Sequence, residues 1–225
     1  MKSSGEPSVR VQAKVCGLTR PDEAEACAAL GADAIGLVFY AKSPRNVTLS
    51  EACSIAAAVP LETRLVGVFV NPEYDDLMRK AQQCGLWGVQ LHGQEPRELV
   101  SRIAVSGIHV IKTLFGRGEP ALDAASSYQP SAFLVESGGG LLPGGNALAW
   151  DWSGARRVSD RFPTILAGGL SEKNVALAAA GSRADAVDVS SGVETRPGRK
   201  DLRRVEAFLK AVRQMAPGYA PRRIF

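Results

Sequence analysis

The chain has 225 residues, 45% of them hydrophobic and 22% charged, which is enough apolar material for a buried core and excludes a disordered or fibrous chain. Its net charge of +4 and pI near 9.0 suit a small anionic ligand. The excess sits largely at Arg196, Arg199, Lys200, Arg203, Arg204, Arg222 and Arg223, which reads as a solvated helix face and a basic tail rather than a nucleic-acid surface. No apolar run is long enough to span a bilayer, and Met1 to Ser8 lacks the apolar stretch of a signal peptide. Cys16, Cys27, Cys53 and Cys84 are far apart with no C-x-x-C pair, so neither a zinc site nor a disulfide framework is expected, and a cytoplasmic location fits.

The first element is an alternating apolar run, Val9, Val11, Ala13 and Val15, read as a strand that ends in Lys14-Val15-Cys16-Gly17. Pro21 with Asp22 and Glu23 opens a helix to about Leu30, closed by Gly31. Ala34 to Phe39 is too short for a helix and reads as a buried strand, followed by the polar loop Lys42-Ser43-Pro44-Arg45-Asn46. Ser50 is expected to cap a helix to about Ala58. Arg64 to Val70 is the third strand, and Asn71-Pro72 starts the third helix. Gly88 to Leu91 is the fourth strand, and a helix runs from about Glu95 to Val105. His109 to Lys112 is the fifth strand, with a weak helix around Ala121 to Ser127. Ala132 to Glu136 is the sixth, and the glycine-rich segment after it is a candidate lid. Thr164 to Ala167 is the seventh strand, with Ser171 expected to cap a helix from about Glu172 to Ala180. Ala184 to Val189 is the eighth, and the last helix covers about Asp201 to Gln214. Residues 1–8 and 217–225 are expected to be loose tails. Eight strand–helix units at roughly 25-residue spacing describe an α/β fold, a single (β/α)8 TIM barrel in one domain; an open doubly wound sheet is the rival.

Residues two apart on a strand share a face. Polar groups at the strand ends therefore cluster at one rim: Cys16, His92, Glu136, Asp188 and Lys112. A thiol beside a lysine can have a lowered pKa and act as base or nucleophile. A carboxylic acid held partly dry can keep its proton and act as general acid. Gly168-Gly169 and Ser190-Ser191-Gly192 follow the seventh and eighth strands, where barrels often cradle a phosphate with backbone N–H groups. His92 and His109 lack metal-ligand spacing, and no dinucleotide or Walker fingerprint occurs.

These residues resemble the phosphoribosylanthranilate isomerase family. The marks are Lys14-Val15-Cys16-Gly17-Leu18-Thr19, Gly31-Ala32-Asp33-Ala34, Lys42-Ser43-Pro44-Arg45-Asn46-Val47, Val68-Phe69-Val70-Asn71, Val89-Gln90-Leu91-His92-Gly93, Gly168-Gly169-Leu170, and Val187-Asp188-Val189-Ser190-Ser191-Gly192-Val193-Glu194. The resemblance implies an Amadori rearrangement of an N-(5-phosphoribosyl) arylamine, in tryptophan biosynthesis, with no metal or organic cofactor. It implies Cys16 as the base, Arg45 as partner of the anthranilate carboxylate, and Asp188 as orienting the sugar or the catalytic groups. His92 is assigned to the substrate, and Gly168, Gly169, Ser191 and Gly192 to its phosphate. The expected partner is thus a small phosphorylated anion, with no nucleic acid and no membrane, acting on a monomer or homodimer.

The chain departs from the family pattern at its acid. The family's general acid is an aspartate ending the sixth strand; here the run is Leu134-Val135-Glu136-Ser137, so Glu136 is expected to take that role, one methylene longer. The family's Gly-Gly-x-Gly before Phe-Asp-Trp is replaced by Gly144-Gly145-Asn146-Ala147 before Trp150-Asp151-Trp152. Three other readings stay open: an isomerase for another N-phosphoribosyl arylamine, a sugar-phosphate-binding paralogue without turnover, and a lyase using Lys112 as a Schiff-base amine.

Overall fold

The apolar residues of the first strand face outward, and its polar ones face inward. In the computed structural model, which describes residues 10–138 and 150–225, β1 (Gln12–Cys16) turns Ala13 and Val15, with Val11 just before it, into the core shared with the helices. Gln12, Lys14 and Cys16 point to the axis of a closed parallel barrel. Its strands follow in sequence order: β2 (Ala34–Phe39), β3 (Arg64–Phe69), β4 (Gly88–Leu91), β5 (His109–Phe115), β6 (Ala132–Glu136), β7 (Thr164–Leu166) and β8 (Ala186–Val189). β8 closes on β1 with Lys14 opposite Asp188. Closure rules out the open doubly wound sheet.

Helices cover the outside: α1 (Pro21–Ala29), α2 (Leu49–Ala58), α3 (Tyr74–Gln83), α4 (Arg97–Val105), α5 (Arg156–Ser159), α6 (Val175–Ser182) and α7 (Leu202–Arg213). A 3-10 turn, Leu122–Ser127, replaces the helix between β5 and β6, in keeping with the weak signal there. Among the described residues no helix is long and apolar enough to cross a membrane.

Several boundaries differ from expectation for local reasons. Thr48, not Ser50, caps α2, because Glu51 sits three residues on and completes a capping box: it accepts from Thr48 N–H at 2.7 Å while Thr48 Oγ1 accepts from Glu51 N–H at 3.3 Å. Ser171 does not cap α6; its N–H donates to Asn174 Oδ1 at 2.8 Å, and regular helix starts only at Val175. β5 runs on to Phe115 because β6 pairs with it as far as Phe115 opposite Glu136. After β8 the chain forms a small hairpin, β9 (Glu194–Arg196) with β10 (Arg199–Lys200), that hydrophobic patterning does not reveal.

The C-terminal stretch 217–225 is not loose. Phe225 is 5% exposed and closes the barrel floor with Ala34, Val66, Ile111, Leu134, Ile165 and Ala186. Gln12, inside the barrel, donates to the Phe225 carbonyl at 2.9 Å and accepts from the N–H groups of Ile224 and Phe225 at 2.7 and 3.0 Å. Arg222 pairs with Asp185, and the Tyr219 hydroxyl donates to the Ala184 carbonyl at 2.6 Å. The aliphatic side chains on the inner strand faces leave a floor that an aromatic ring covers. Stretches 1–9 and 139–149, which hold the expected N-terminal tail, most of the glycine-rich lid and Gly144 to Ala147, lie outside the described residues. Phe225→Ala is expected to lower the unfolding free energy by about 3 kcal/mol, as for other buried phenylalanines; urea denaturation measures it, and a change near zero would mean that the plug contributes nothing.

Candidate functional site

At the C-terminal ends of the strands one pocket is lined by Cys16, Arg45, Gln90, His92, Glu136, Asp188 and Ser190, with Val38, Tyr40, Ser43, Val68 and Val70. Cys16 ends β1 and Glu136 ends β6, so a sulfur and a carboxyl come from two non-adjacent strands into one space. The sulfur has room because β2 carries Gly36 opposite it; a Cβ there would lie 2.6 Å from Cys16 Sγ.

Beneath the sulfur lies a buried ion pair. Lys14 Nζ is 2.9 Å from Asp188 Oδ1, and the lysine side chain is wholly enclosed. Burial works against the ammonium, but attraction to Asp188 and Cys16 outweighs it and holds Lys14 above its ordinary value. Burial likewise pushes the Asp188 carboxyl up, with Lys14 pulling it back. For Cys16 the sequence expectation of a lowered pKa is corrected: burial pushes the thiol up, and Lys14 offsets only part of that. The Asp188 charge beside the lysine adds to the upward push.

Glu136 faces His92, with Oε1 3.3 Å from Nε2. The other ring nitrogen, Nδ1, meets Gln90 Nε2 at 2.8 Å and Thr113 Oγ1 at 3.0 Å. With Gln90 donating, Nδ1 accepts, so the neutral ring carries its proton on Nε2 and offers it to Glu136. Gln90 Oε1 is buried without a partner among the described residues.

Arg45 is held before any ligand arrives. Its Nε and NH2 donate to the two oxygens of Glu194 at 2.9 and 2.6 Å. Lys200 Nζ binds Glu194 at 2.8 Å, the Cys16 carbonyl at 2.6 Å and the Ser190 carbonyl at 3.2 Å. Burial alone would raise Glu194, but Arg45 and Lys200 outweigh it and hold the carboxylate below its usual range. Burial lowers Lys200 despite that partner. Gly17 lets the arginine cross the strand end: its φ is +80°, and a Cβ would lie 2.5 Å from Arg45 Cδ.

Gly168, Gly169, Ser191 and Gly192 do not line this pocket; they form the adjoining loops after β7 and β8. Those loops touch, since a Cβ on Gly192 would overlap the Leu170 carbonyl. The N–H groups of all four residues lack a hydrogen-bond partner among the described residues. Trp150 and Trp152 brace the first loop by donating to the carbonyls of Ala167 and Gly168 at 3.3 and 3.2 Å.

Lys112 is not at the rim. It points out of the barrel into a buried pair with Glu95 at 2.7 Å, and donates to the Gly93 carbonyl at 2.8 Å. The inward residue there is Thr113, because alternation along β5 turns Lys112 the other way. That removes Lys112 as the amine of the lyase reading. Sequence reasoning missed the supporting roles of Glu194, Lys200 and Thr113, and the pairing of Lys14 with Asp188. Glu194 and Lys200 follow a strand end as ordinary surface-type residues, and only folding the hairpin back buries them. Gly36→Ala is expected to cost about 1–3 kcal/mol from overpacking and to displace the Cys16 sulfur, read by urea denaturation and by the alkylation rate of Cys16.

The profile of the N-(5'-phosphoribosyl)anthranilate isomerase family matches residues 13–211. The chain is 48% identical over 217 residues to the N-(5'-phosphoribosyl)anthranilate isomerase of Desulfatibacillum aliphaticivorans, covering 96% of this chain and 100% of that one. Phosphoribosyl anthranilate isomerase from Thermotoga maritima superposes with a TM-score of 0.84 at 38% identity, over 91% of this chain and 100% of that one. A solved phosphoribosyl anthranilate isomerase in complex with reduced 1-(o-carboxyphenylamino)-1-deoxyribulose 5-phosphate superposes at 0.81 with 37% identity, over 91% of this chain and 100% of that one. With a closed parallel barrel, a shared rim and a match along nearly its whole length, this chain belongs to the N-(5'-phosphoribosyl)anthranilate isomerase family.

Proposed function

We propose that the chain converts N-(5'-phosphoribosyl)anthranilate to 1-(2-carboxyphenylamino)-1-deoxyribulose 5-phosphate, the isomerisation that its relatives are named for, in tryptophan biosynthesis. The observation that carries the reading is the meeting of Cys16 and Glu136 in one pocket. The reaction moves protons only. An acid protonates the furanose ring oxygen, and the ring opens to a Schiff base. A base then takes the C2′ proton, and the enolamine so formed tautomerises to the ketone. No net oxidant is consumed, because C1 is reduced as C2 is oxidised.

In this reading Glu136 is the acid, held in place by His92, whose Nε2 is 3.3 Å from Glu136 Oε1. Cys16 is the base, and Lys14 favours its thiolate. Arg45 turns its remaining NH1 to the anthranilate carboxylate, aimed by Glu194. Asp188 keeps Lys14 charged and faces the sugar. The N–H groups of Gly168, Gly169, Ser191 and Gly192, without a partner among the described residues, take the phosphate, in the place where barrels commonly bind one. The chemistry calls for no metal and no organic cofactor.

The deciding experiment pairs turnover of the purified enzyme on the anthranilate substrate with rescue of a tryptophan auxotroph lacking the isomerase. Both are expected. A folded protein that shows neither would overturn the assignment. Cys16→Ala is expected to lower kcat by about a hundred- to ten-thousandfold while inorganic phosphate binds as before; undiminished turnover would remove the thiol from the mechanism.

The pH profile tests the same group. Cys16 acts only after losing its proton, and its thiol is held above the ordinary value. The kcat/KM limb that reports it therefore rises with pH on the alkaline side. Lys14→Met removes the ammonium that opposes this shift, so the limb moves to still higher pH and the rate at neutral pH falls. A profile unchanged by that substitution, in a protein of native circular dichroism, would uncouple Lys14 from the thiol.

A further inference from the structure

Away from the catalytic rim, two cysteines face each other on the outer layer. Cys53 lies on α2 and Cys84 caps the C-terminus of α3, 31 residues later. Their sulfurs are 2.9 Å apart. Two thiols in ordinary contact sit farther apart than this, and a disulfide bond needs roughly 0.9 Å of further approach. Each sulfur is also steered by a backbone carbonyl, Cys53 by Gln83 at 3.5 Å and Cys84 by Leu49 at 3.9 Å. The two differ in access. Cys53 is half-buried, whereas Cys84 is 5% exposed. Burial, reinforced by the neighbouring sulfur, pushes the Cys84 thiol up to about 12. Cys16 and Cys27 are 8% and 0% exposed.

We propose that Cys53 and Cys84 form a redox-active dithiol site that takes small-molecule disulfides of the glutathione type. Cys53, the accessible sulfur, gives up its proton and attacks one sulfur of the reagent. One thiol leaves, and a mixed disulfide forms on Cys53. Cys84 then loses its proton and attacks the Cys53 sulfur, expelling the second thiol. One reagent disulfide is reduced to two thiols as the two protein thiols are oxidised to one disulfide, so electrons and protons balance. The product bridges α2 to α3 and closes the loop that contains β3. Cys16 and Cys27, at 8% and 0% exposure, keep their thiols.

The test incubates the native protein in a glutathione redox buffer, blocks free thiols, and digests with trypsin without reduction. Cleavage after Arg45, Arg64, Lys80 and Arg97 leaves Cys53 and Cys84 as the lone cysteines of peptides 46–64 and 81–97. The expected result is these two peptides joined, two hydrogens below their summed mass, with Cys16 and Cys27 recovered as blocked thiols. Oxidation should raise Tm by several degrees, as closing a loop of this length does. Cys53→Ser and Cys84→Ser should each abolish the bridge, leave turnover unchanged and remove the Tm gain. A mixed disulfide that persists on Cys53, no adduct at all, a bridge to Cys16 or Cys27, or a bridge formed only in denaturant would each overturn the proposal.

Discussion

The structure depends on one desolvated contact at the seam where the barrel closes. Lys14 on β1 and Asp188 on β8 are paired across that seam, 174 residues apart in sequence and 2.9 Å apart in space. Neither charge has enough water, and each is tolerated inside the barrel only because the other is there. Removing one partner of such a pair costs about 3–5 kcal/mol, so correct closure is strongly enforced. The same pair sets the chemistry above it. Asp188 keeps Lys14 charged, Lys14 favours the Cys16 thiolate, and burial opposes both. A thiol set between a cation that favours its ionised form and burial that opposes it is poised rather than permanently ionised.

Around this seam the pocket is built from groups whose hydrogen bonds are largely spent before substrate arrives. Gln90 and Thr113 fix the face of His92, and His92 faces Glu136. Glu194 takes two of the donors of Arg45, and Lys200 ties Glu194 to the backbone at Cys16 and Ser190. The pair Lys112–Glu95 sits behind β4, with Lys112 bound to the Gly93 carbonyl next to His92 and Glu95 accepting from the Gly93 N–H. The Glu136 carboxyl is thus met by a shell that holds its neighbours still. Geometry of that kind lowers the reorganisation needed when charge moves in the reaction.

The chain's two ends of function are separated by the barrel itself. The rim carries the polar pocket, and the floor is an apolar plug of Phe225 over inward aliphatic residues. Basic residues near the C-terminus have specific partners: Arg222 holds Asp185 and Arg199 holds Glu23. The charge that a composition count treats as a tail is largely spent on docking that segment.

By itself the sequence determined the barrel and most of the rim. Strand–helix alternation repeated eight times, and the positions of Cys16, His92, Glu136 and Asp188 at strand ends, are local facts that period-2 alternation converts into a shared face. The tertiary structure decided everything that depends on who lies across a gap. It turned Lys112 outward, because extending β5 to Phe115 put Thr113 on the inner face. It raised Cys16 rather than lowering it, because closing the barrel buries the sulfur and Lys14 offsets only part of that burial. It bound Arg45 to Glu194 through a hairpin whose residues carry no hydrophobic period. Burial and pairing over long sequence separations are properties of the closed barrel, and no window along the chain contains them.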